Sequence, residues 1–371
     1  MIFPDYNRSV LNVACSVLKH FGAEPAHGTL PEIAGMKSAS HVALVILDGM
    51  GADALSMLPE DAFLRRKQAA TLTSVYPSTT TAATSSLYSA LSPAEHGWLG
   101  WSCYFKEYAR LVDIFLDRDS YTFEKLSSSP ARALMPFESV FSRIRRATCG
   151  RVATRAVFPF EPGFTGMDEL RVARTLEEAA TAVLGLDGRE AFTLLYWPDP
   201  DETMHTHGAR GEKARRAVTR LNAWAESLAA RLRDTALVVT ADHGLMDVTD
   251  VVWLNERPEL MGCLQMPPSL ESRAASLLVK RGRSAEFERA FRAELGEDFL
   301  LMPREEALTR ALFGPGALHP KADDFIGDYM ALATGKKALY YRPEGAPAHG
   351  RMIGHHAGLT EAEMLVPLIL A

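Results

Sequence analysis

The sequence predicts an α/β fold: a doubly wound, mostly parallel central sheet flanked by helices, with a small inserted α+β subdomain. Three observations carry that prediction. Residues 42–47, 192–197 and 236–239 are short apolar runs without alternation, the pattern of strands buried on both faces of a parallel sheet. Between the second and third runs, Ala214, Val218, Leu221, Ala225, Leu228 and Leu232 recur at helical spacing, with Arg215, Arg216, Arg220 and Glu226 placed elsewhere, so strand and helix alternate. Each run also ends in acidic or imidazole residues, and such sheets bind ligands at the carboxyl ends of their strands.

The elements follow in chain order. Val10, Leu11, Ala14, Val17, Leu18 and Phe21 form a helical stripe that Gly22 can close. The first apolar run ends at Asp48, and small residues 82–91 read as a helix. A fourth run of the strand kind lies at 151–157. Beyond residue 262 the texture changes: strands are expected at 275–279, 329–333 and 338–341, helices at 285–295 and 304–312, and a Pro/Gly-rich loop at 314–324. The expected division is a core of residues 1–262 and 342–371 interrupted by an inserted, cap-like α+β subdomain at 263–341. Internal repeats and low-complexity tracts are absent from the sequence.

Forty basic residues against 46 acidic ones leave a net charge of −6, which excludes a broadly basic nucleic-acid-binding surface. An anionic substrate would need local positive charge, and a metal is one source of it. Cys15, Cys103, Cys149 and Cys263 lack paired spacing and read as small hydrophobes rather than a disulfide framework. No apolar run reaches the roughly 18–20 residues of a membrane helix. Asp5, Asn12 and Lys19 interrupt what would be the apolar part of a signal peptide. A cytoplasmic protein is expected, with no membrane partner and an open oligomeric state.

Five segments carry the chemistry. Asp48-Gly49-Met50-Gly51 closes a buried strand, and reads either as a ligand-facing edge or as a capped turn. Tyr76-Pro77-Ser78-Thr79-Thr80-Thr81 runs into the small-residue helix. A cap needs one hydroxyl, and four in succession at a helix start also suit a phosphoryl-type anion. In the segment 196–208, Asp201 and His205 are four apart and share one side of a helical turn, with Asp199 and His207 as competitors. Asp242-His243 ends another buried strand, where neither side chain is buried cheaply without a partner. Last comes Gly354-His355-His356-Ala357-Gly358, where either histidine can point inward. Mixed carboxylate and imidazole ligands suit Zn²⁺, with Mn²⁺ and Fe²⁺ as alternatives. Six ligands exceed one tetrahedral zinc and match two divalent ions about 4 Å apart.

The combination Leu-Asp-Gly, Tyr-Pro-Ser-x-Thr, Pro-Asp-x-x-x-His-x-x-Gly, Ala-Asp-His-Gly and a late His-x-Gly-Leu-Thr resembles the alkaline phosphatase superfamily, in its nucleotide pyrophosphatase/phosphodiesterase branch. The resemblance runs from Asp48 to His356. It implies a hydrolase of a small-molecule phosphate ester, such as a nucleotide, with one zinc on Asp201, His205 and His356. It places the second zinc on Asp48, Asp242 and His243, with Thr80 bound to it as the nucleophile. Thr80 is selected because the family nucleophile lies three positions after the proline matched by Pro77; Thr79 and Thr81 are its fallbacks. His356 is selected over His355 by the His-x-Gly-Leu-Thr pattern. The implied reaction passes through a phospho-threonine.

One departure bears on substrate class. Phosphodiesterase relatives often carry Thr-Phe-Pro-Asn-His from the nucleophile onward, and here Thr80-Thr81-Ala82-Ala83-Thr84 puts Ala83 in the asparagine position. Thr81, Thr84 or backbone N–H groups are the available substitutes. Trp98, Trp101, Tyr104, Phe105, Tyr196 and Trp197 read either as a stacking platform for an aromatic group or as core, and Arg351 as a phosphate contact or a solvated charge. The rival activities are a phosphomonoesterase and a phosphonate hydrolase. A sulfatase would need a Cys- or Ser-x-Pro-x-Arg motif, which is missing. The rival of a different class is a catalytically silent protein that holds metal or nucleotide.

Overall fold

The structure, a computed structural model, describes residues 1–36, 39–345 and 352–371. Its main sheet has the strand order Gln68–Thr73, Leu365–Leu370, Thr235–Thr240, His41–Leu47, Ala191–Trp197, Ala153–Phe158, Glu169–Val172. The five strands from Thr235–Thr240 to Glu169–Val172 run parallel. Leu365–Leu370 is antiparallel to both its neighbours. Every residue of His41–Leu47 is buried, which explains its unbroken apolar run: both faces are covered.

Register places the site. Ile46 pairs with Tyr196 on one side and with Thr240 on the other, so three neighbouring strands end at one level. Asp48, the segment after Trp197 and Asp242 therefore leave the sheet along one edge. Glycines let these segments meet. A Cβ at Gly51 would lie 2.6 Å from the Gly244 Cα, far inside van der Waals contact. Gly49 has φ +71°, and a Cβ there would meet the Asp201 Cβ at 2.9 Å.

The helix expected between the second and third runs spans Glu212–Arg231 and buries Ala214, Val218, Leu221, Ala225 and Leu228. The N-terminal stripe forms the helix Val10–His20. The expected 314–324 loop is in part a helix, Pro320–Phe325, with Pro320 in its first turn, where a missing N–H costs nothing.

The second unit is built differently from expectation. Its seven-stranded sheet has the order Phe299–Pro303, Tyr329–Ala333, Ala274–Leu277, Ser269–Leu270, Ser102–Phe105, Arg110–Asp113, Arg118–Asp119. Three of these strands come from 102–119, which the sequence reading placed in the core. The bridge between the two stretches is short, Leu270 pairing with Ser102, and no local pattern announces a partner so far along the chain. Lys337–Tyr340 does not enter this sheet but pairs in parallel with Asp250–Trp253.

A buried ion pair ties this unit to the core. Arg273, fully buried, donates from Nε to Glu363 Oε1 (2.6 Å) and from Nη2 to Oε2 (2.8 Å), and also to the carbonyls of Lys337 and Gly335. Glu363 accepts in turn from Gly358 N–H and Thr360 Oγ1, which fixes the turn after His356. Arg273→Met should therefore destabilise the protein by about 3–5 kcal/mol, because it leaves a buried carboxylate unpaired. A double variant with Glu363→Met should recover only part of that loss, since Gly358 N–H and Thr360 Oγ1 then lose their acceptor. Chemical denaturation measures both, and an unchanged midpoint for the single variant would contradict the role.

Candidate active site

The hydroxyl cluster resolves into separate roles. Ser78 Oγ donates to the Gly358 carbonyl (2.9 Å) and Thr79 Oγ1 to Glu271 Oε1 (2.7 Å). Thr80 is the first residue of the helix Thr80–Ser89, and its Oγ1 lies 3.1 Å from His243 Nε2. Thr81 is fully buried, its hydroxyl without a partner among the described residues. Thr84 Oγ1 donates back to the Thr80 carbonyl (2.6 Å). Ala83 is fully buried in the helix, so its position offers nothing to a ligand.

Two side-chain groups converge beside Thr80. Asp201, His205 and His356 present ligand-type atoms all within 4.8 Å of one another, and so do Asp48, Asp201 and His243. Asp242 joins the second group, its Oδ2 standing 3.5 Å from His243 Nε2, the same distance as Asp48 Oδ1. Asp201 and His205 share the helix Asp201–His207, with His205 Nε2 3.2 Å from Asp201 Oδ2. His356 packs its ring on His243, centroids 4.0 Å apart.

The competitors are occupied elsewhere. Asp199 accepts from Thr203 Oγ1 and Arg220, and His207 faces Lys213 on the surface. His355 sits in the short strand Gly354–His355 against Met246–Asp247, its Nδ1 facing Ser272 Oγ. Arg351 lies outside the described residues.

The electrostatics are those of negative charge gathered in a buried place. Burial, with Asp242 and Asp201 adjacent, pushes the Asp48 carboxyl well above its ordinary range. Burial raises Asp242 also, against the pull of His243. For Asp201 burial is outweighed by His205, which holds it low; against its own burial, His205 is raised to about 9 by Asp201. Burial and the surrounding histidines push His356 well below its ordinary value.

Asp48 Oδ1, Asp201 Oδ1, Asp242 Oδ2 and His356 Nδ1 are buried with no hydrogen-bond partner among the described residues. Buried polar atoms are seldom left this way, and three such carboxylate oxygens in one place call for cations. The donor set, carboxylate oxygen and imidazole nitrogen, fits Zn²⁺, Mn²⁺ or Fe²⁺.

Two neighbours of the site have roles that the sequence does not announce: Tyr196, expected as a stacking or core residue, and Glu271. Tyr196 donates its hydroxyl to Asp48 Oδ2, and the alternation of its strand was the available signal: Leu195 and Trp197 point the other way. Glu271 accepts at Oε1 from Thr79 Oγ1 and from Trp101 N–H, both at 2.7 Å. Burial pushes its carboxyl up to about 7 against those two donors. No sequence signal marks it, because it arrives from the second sheet. Of the aromatic cluster, Trp98, Trp101 and Tyr196 line a cavity, whereas Phe105 packs on Phe325 in the core.

A parallel sheet whose edge gathers carboxylates, imidazoles and a hydroxyl at a helix start defines a class, the metal-dependent hydrolases of phosphate esters. The family model for type I phosphodiesterase / nucleotide pyrophosphatase matches residues 42–358, and the chain belongs to that family. Among solved structures, human ectonucleotide pyrophosphatase/phosphodiesterase 5 is similar at 17% identity and a TM-score of 0.64, over 89% of this chain and 87% of that one. The murine protein, in an inactive form with a threonine-to-alanine substitution and in complex with AMP, gives a TM-score of 0.63 at 17% identity over 88% and 87%. Phosphonoacetate hydrolase from Sinorhizobium meliloti 1021, in complex with phosphonoformate, gives 0.62 at 17% identity over 88% and 89%. No curated protein matches the sequence.

Proposed function

We propose that this protein is a two-zinc phosphodiesterase acting through a phospho-threonine on Thr80. The observation that carries the reading is the placement of Thr80 Oγ1, 3.1 Å from His243 Nε2, beside both ligand groups. Asp201, His205 and His356 would hold one ion; Asp48, Asp242, His243 and Thr80 would hold the other. When bound, such ions would lower the pKa of the hydroxyl and neutralise charge on the attacking and leaving oxygens. A threonine requirement in the murine relative, inactive as the alanine form, supports a threonine in this role.

The chain's own contribution follows. Thr80 Oγ1 attacks phosphorus in line, forming an O–P bond as the bond to the leaving alcohol oxygen breaks. Water then displaces Thr80 from phosphorus, releasing the monoester. Free backbone N–H groups in the first turn of Thr80–Ser89 are placed to donate to phosphoryl oxygens, which supplies what Ala83 cannot. The second sheet acts as a cap, since Trp101, Ser102, Leu270 and Glu271 line the cleft over Thr80.

A diester is favoured over a monoester or phosphonate by the lining. Neither cavity at Thr80 is lined by a lysine. Arg132 is paired with Asp117 (3.2 Å) and Arg118 with Asp113 (2.8 Å), which leaves Arg342, stacked over Trp253, as the one lining cation without a carboxylate partner among the described residues. With zinc added, bis-p-nitrophenyl phosphate and p-nitrophenyl-TMP should be cleaved about tenfold or more faster in kcat/KM than nitrophenyl phosphate, phosphonate or sulfate. A preference for the monoester or phosphonate would overturn the diester reading, and no release from any ester would favour a protein that only binds. We place the protein in the cytoplasm on its cysteines, all four free and three of them buried. No helix among the described residues is long and apolar enough to cross a membrane.

A further inference from the structure

The nucleophile helix starts without the side-chain cap its sequence offers. Thr79 is the N-cap residue of Thr80–Ser89, with extended backbone (φ −136°, ψ 151°), and its carbonyl accepts from Ala83 N–H at 2.9 Å. A threonine so placed ordinarily accepts a first-turn N–H through its hydroxyl. Ser92, Ser129, Ser139 and Thr175 do so at other helix starts of this chain. The Thr79 hydroxyl accepts none and donates instead to Glu271 Oε1 at 2.7 Å. The N–H groups of Thr80, Thr81 and Ala82 make no hydrogen bond among the described residues.

We propose that Glu271 is a positioning residue that keeps this helix uncapped: by taking the Thr79 hydroxyl, it leaves the first-turn N–H groups beside Thr80 free for the phosphoryl oxygens of the ester. The inference rests on the phosphodiesterase reading and deepens it at the same site. Ala83 offers no side-chain donor, so those N–H groups are what the helix start has to give an anion. A threonine hydroxyl already bound to one of them would have to leave before the ester could use it. Such a cap biases the helix by about fivefold.

Glu271 is itself held firmly. It opens the tight turn between Ser269–Leu270 and Ala274–Leu277, where Glu271 and Ala274 exchange backbone hydrogen bonds of 3.2 and 3.3 Å. Arg273, in the same turn, is locked to buried Glu363. On the other side a Cβ at Gly100 would stand 2.9 Å from the Leu270 Cα, so the backbone there lies against the turn. Trp101 N–H consequently reaches Glu271 Oε1 at 2.7 Å. One oxygen thus gathers a donor from the second sheet and the hydroxyl next to the nucleophile. Branching at Cβ leaves Thr79 few rotamers, and the one that meets Glu271 carries its hydroxyl clear of the first turn.

The test compares wild type, Glu271→Gln, Glu271→Met, and Glu271→Met combined with Thr79→Val, each loaded with zinc. Methionine frees the Thr79 hydroxyl to cap its helix and should lower kcat/KM for bis-p-nitrophenyl phosphate about fivefold or more. Glutamine keeps a carbonyl oxygen for both donors and should rescue the value to within about twofold of wild type. Thr79→Val removes the hydroxyl that caps, so the double variant should also recover to within about twofold. Trp101 N–H still lacks its acceptor in that variant, so a merely structural role for Glu271 would not be rescued this way. Calorimetric affinity for inorganic phosphate should follow the same order without turnover, and a crystal structure of Glu271→Met should have Thr79 Oγ1 accepting a first-turn N–H. Glu271→Ala takes the place of the methionine variant if that one does not fold. A double variant as impaired as the single one, or a Thr79 hydroxyl still clear of the first turn in Glu271→Met, would overturn the role of Glu271 alone. A wild type that cleaves no ester but binds phosphate in the stated order would overturn the phosphodiesterase reading while supporting the uncapped helix start.

Discussion

Thr80→Ala should abolish ester hydrolysis, by about 10³-fold or more, while the protein keeps its fold. The side chain is half-buried, and among the described residues its hydroxyl has His243 as its hydrogen-bond partner. It fills no core space, and alanine is the better helix former, so stability should change by no more than about 0.5 kcal/mol. The proposed nucleophile has no substitute among its neighbours: Thr79 is bound to Glu271, and Thr81 is buried. Two measurements check this. Steady-state turnover of a nitrophenyl diester should vanish, and acid quenching of the wild-type reaction should trap phosphate on the peptide carrying Thr80. Retained activity in Thr80→Ala, or label on Thr79 or Thr81, would move the nucleophile elsewhere.

Removing metal should have the second large effect, on activity and stability together. Without cations, Asp48, Asp201 and Asp242 face one another across a buried space, and burial lifts Asp48 and Asp242 above their ordinary ranges. A carboxyl raised on folding contributes stability at low pH and loses it as pH rises through its folded value. The metal-free protein should therefore weaken at this site as pH climbs above the ordinary carboxylate range, and the thermal shift on adding zinc should grow over the same interval. At a hundredfold excess over Kd the ion should add about 2.7 kcal/mol. Asp242→Asn removes one of the repelling charges. It should raise the melting point of the chelator-treated protein and shrink the response to zinc; a melting point that falls with chelator present would contradict the account of repulsion.

The legible part of the site follows from one circumstance. Strands buried on both faces are written as unbroken apolar runs, so their ends stand out, and Asp48 and Asp242 with His243 stand at those ends. Asp201 and His205 were legible for a related reason, the four-residue spacing of one helical turn. Other strands were harder to see. Gln68–Thr73 is polar and half exposed. Leu365–Leu370 carries Pro367, which argues against a strand; the structure accommodates it where the ladder to Thr235–Thr240 covers only Leu368 to Leu370.

The choice among neighbours needed packing as well as pattern. Sequence spacing leaves Thr79, Thr80 and Thr81 equivalent until a resemblance ranks them. In the fold, Glu271 takes Thr79 and the helix buries Thr81. His355 and His356 differ by one position, and the short pairing of Gly354–His355 with Met246–Asp247 turns them to different sides.

The sequence by itself therefore determined the α/β class, the strand ends that carry acid and imidazole, and the chemistry those residue types share, because each is written in local order within one element. Only the tertiary structure decided that residues 102–119 belong to the second sheet, that Tyr196 reaches Asp48, and that Glu271 takes the hydroxyl of Thr79 beside Thr80. Those contacts join segments 148 or more residues apart, where no periodicity connects the partners and only the burial of the whole assembly selects them.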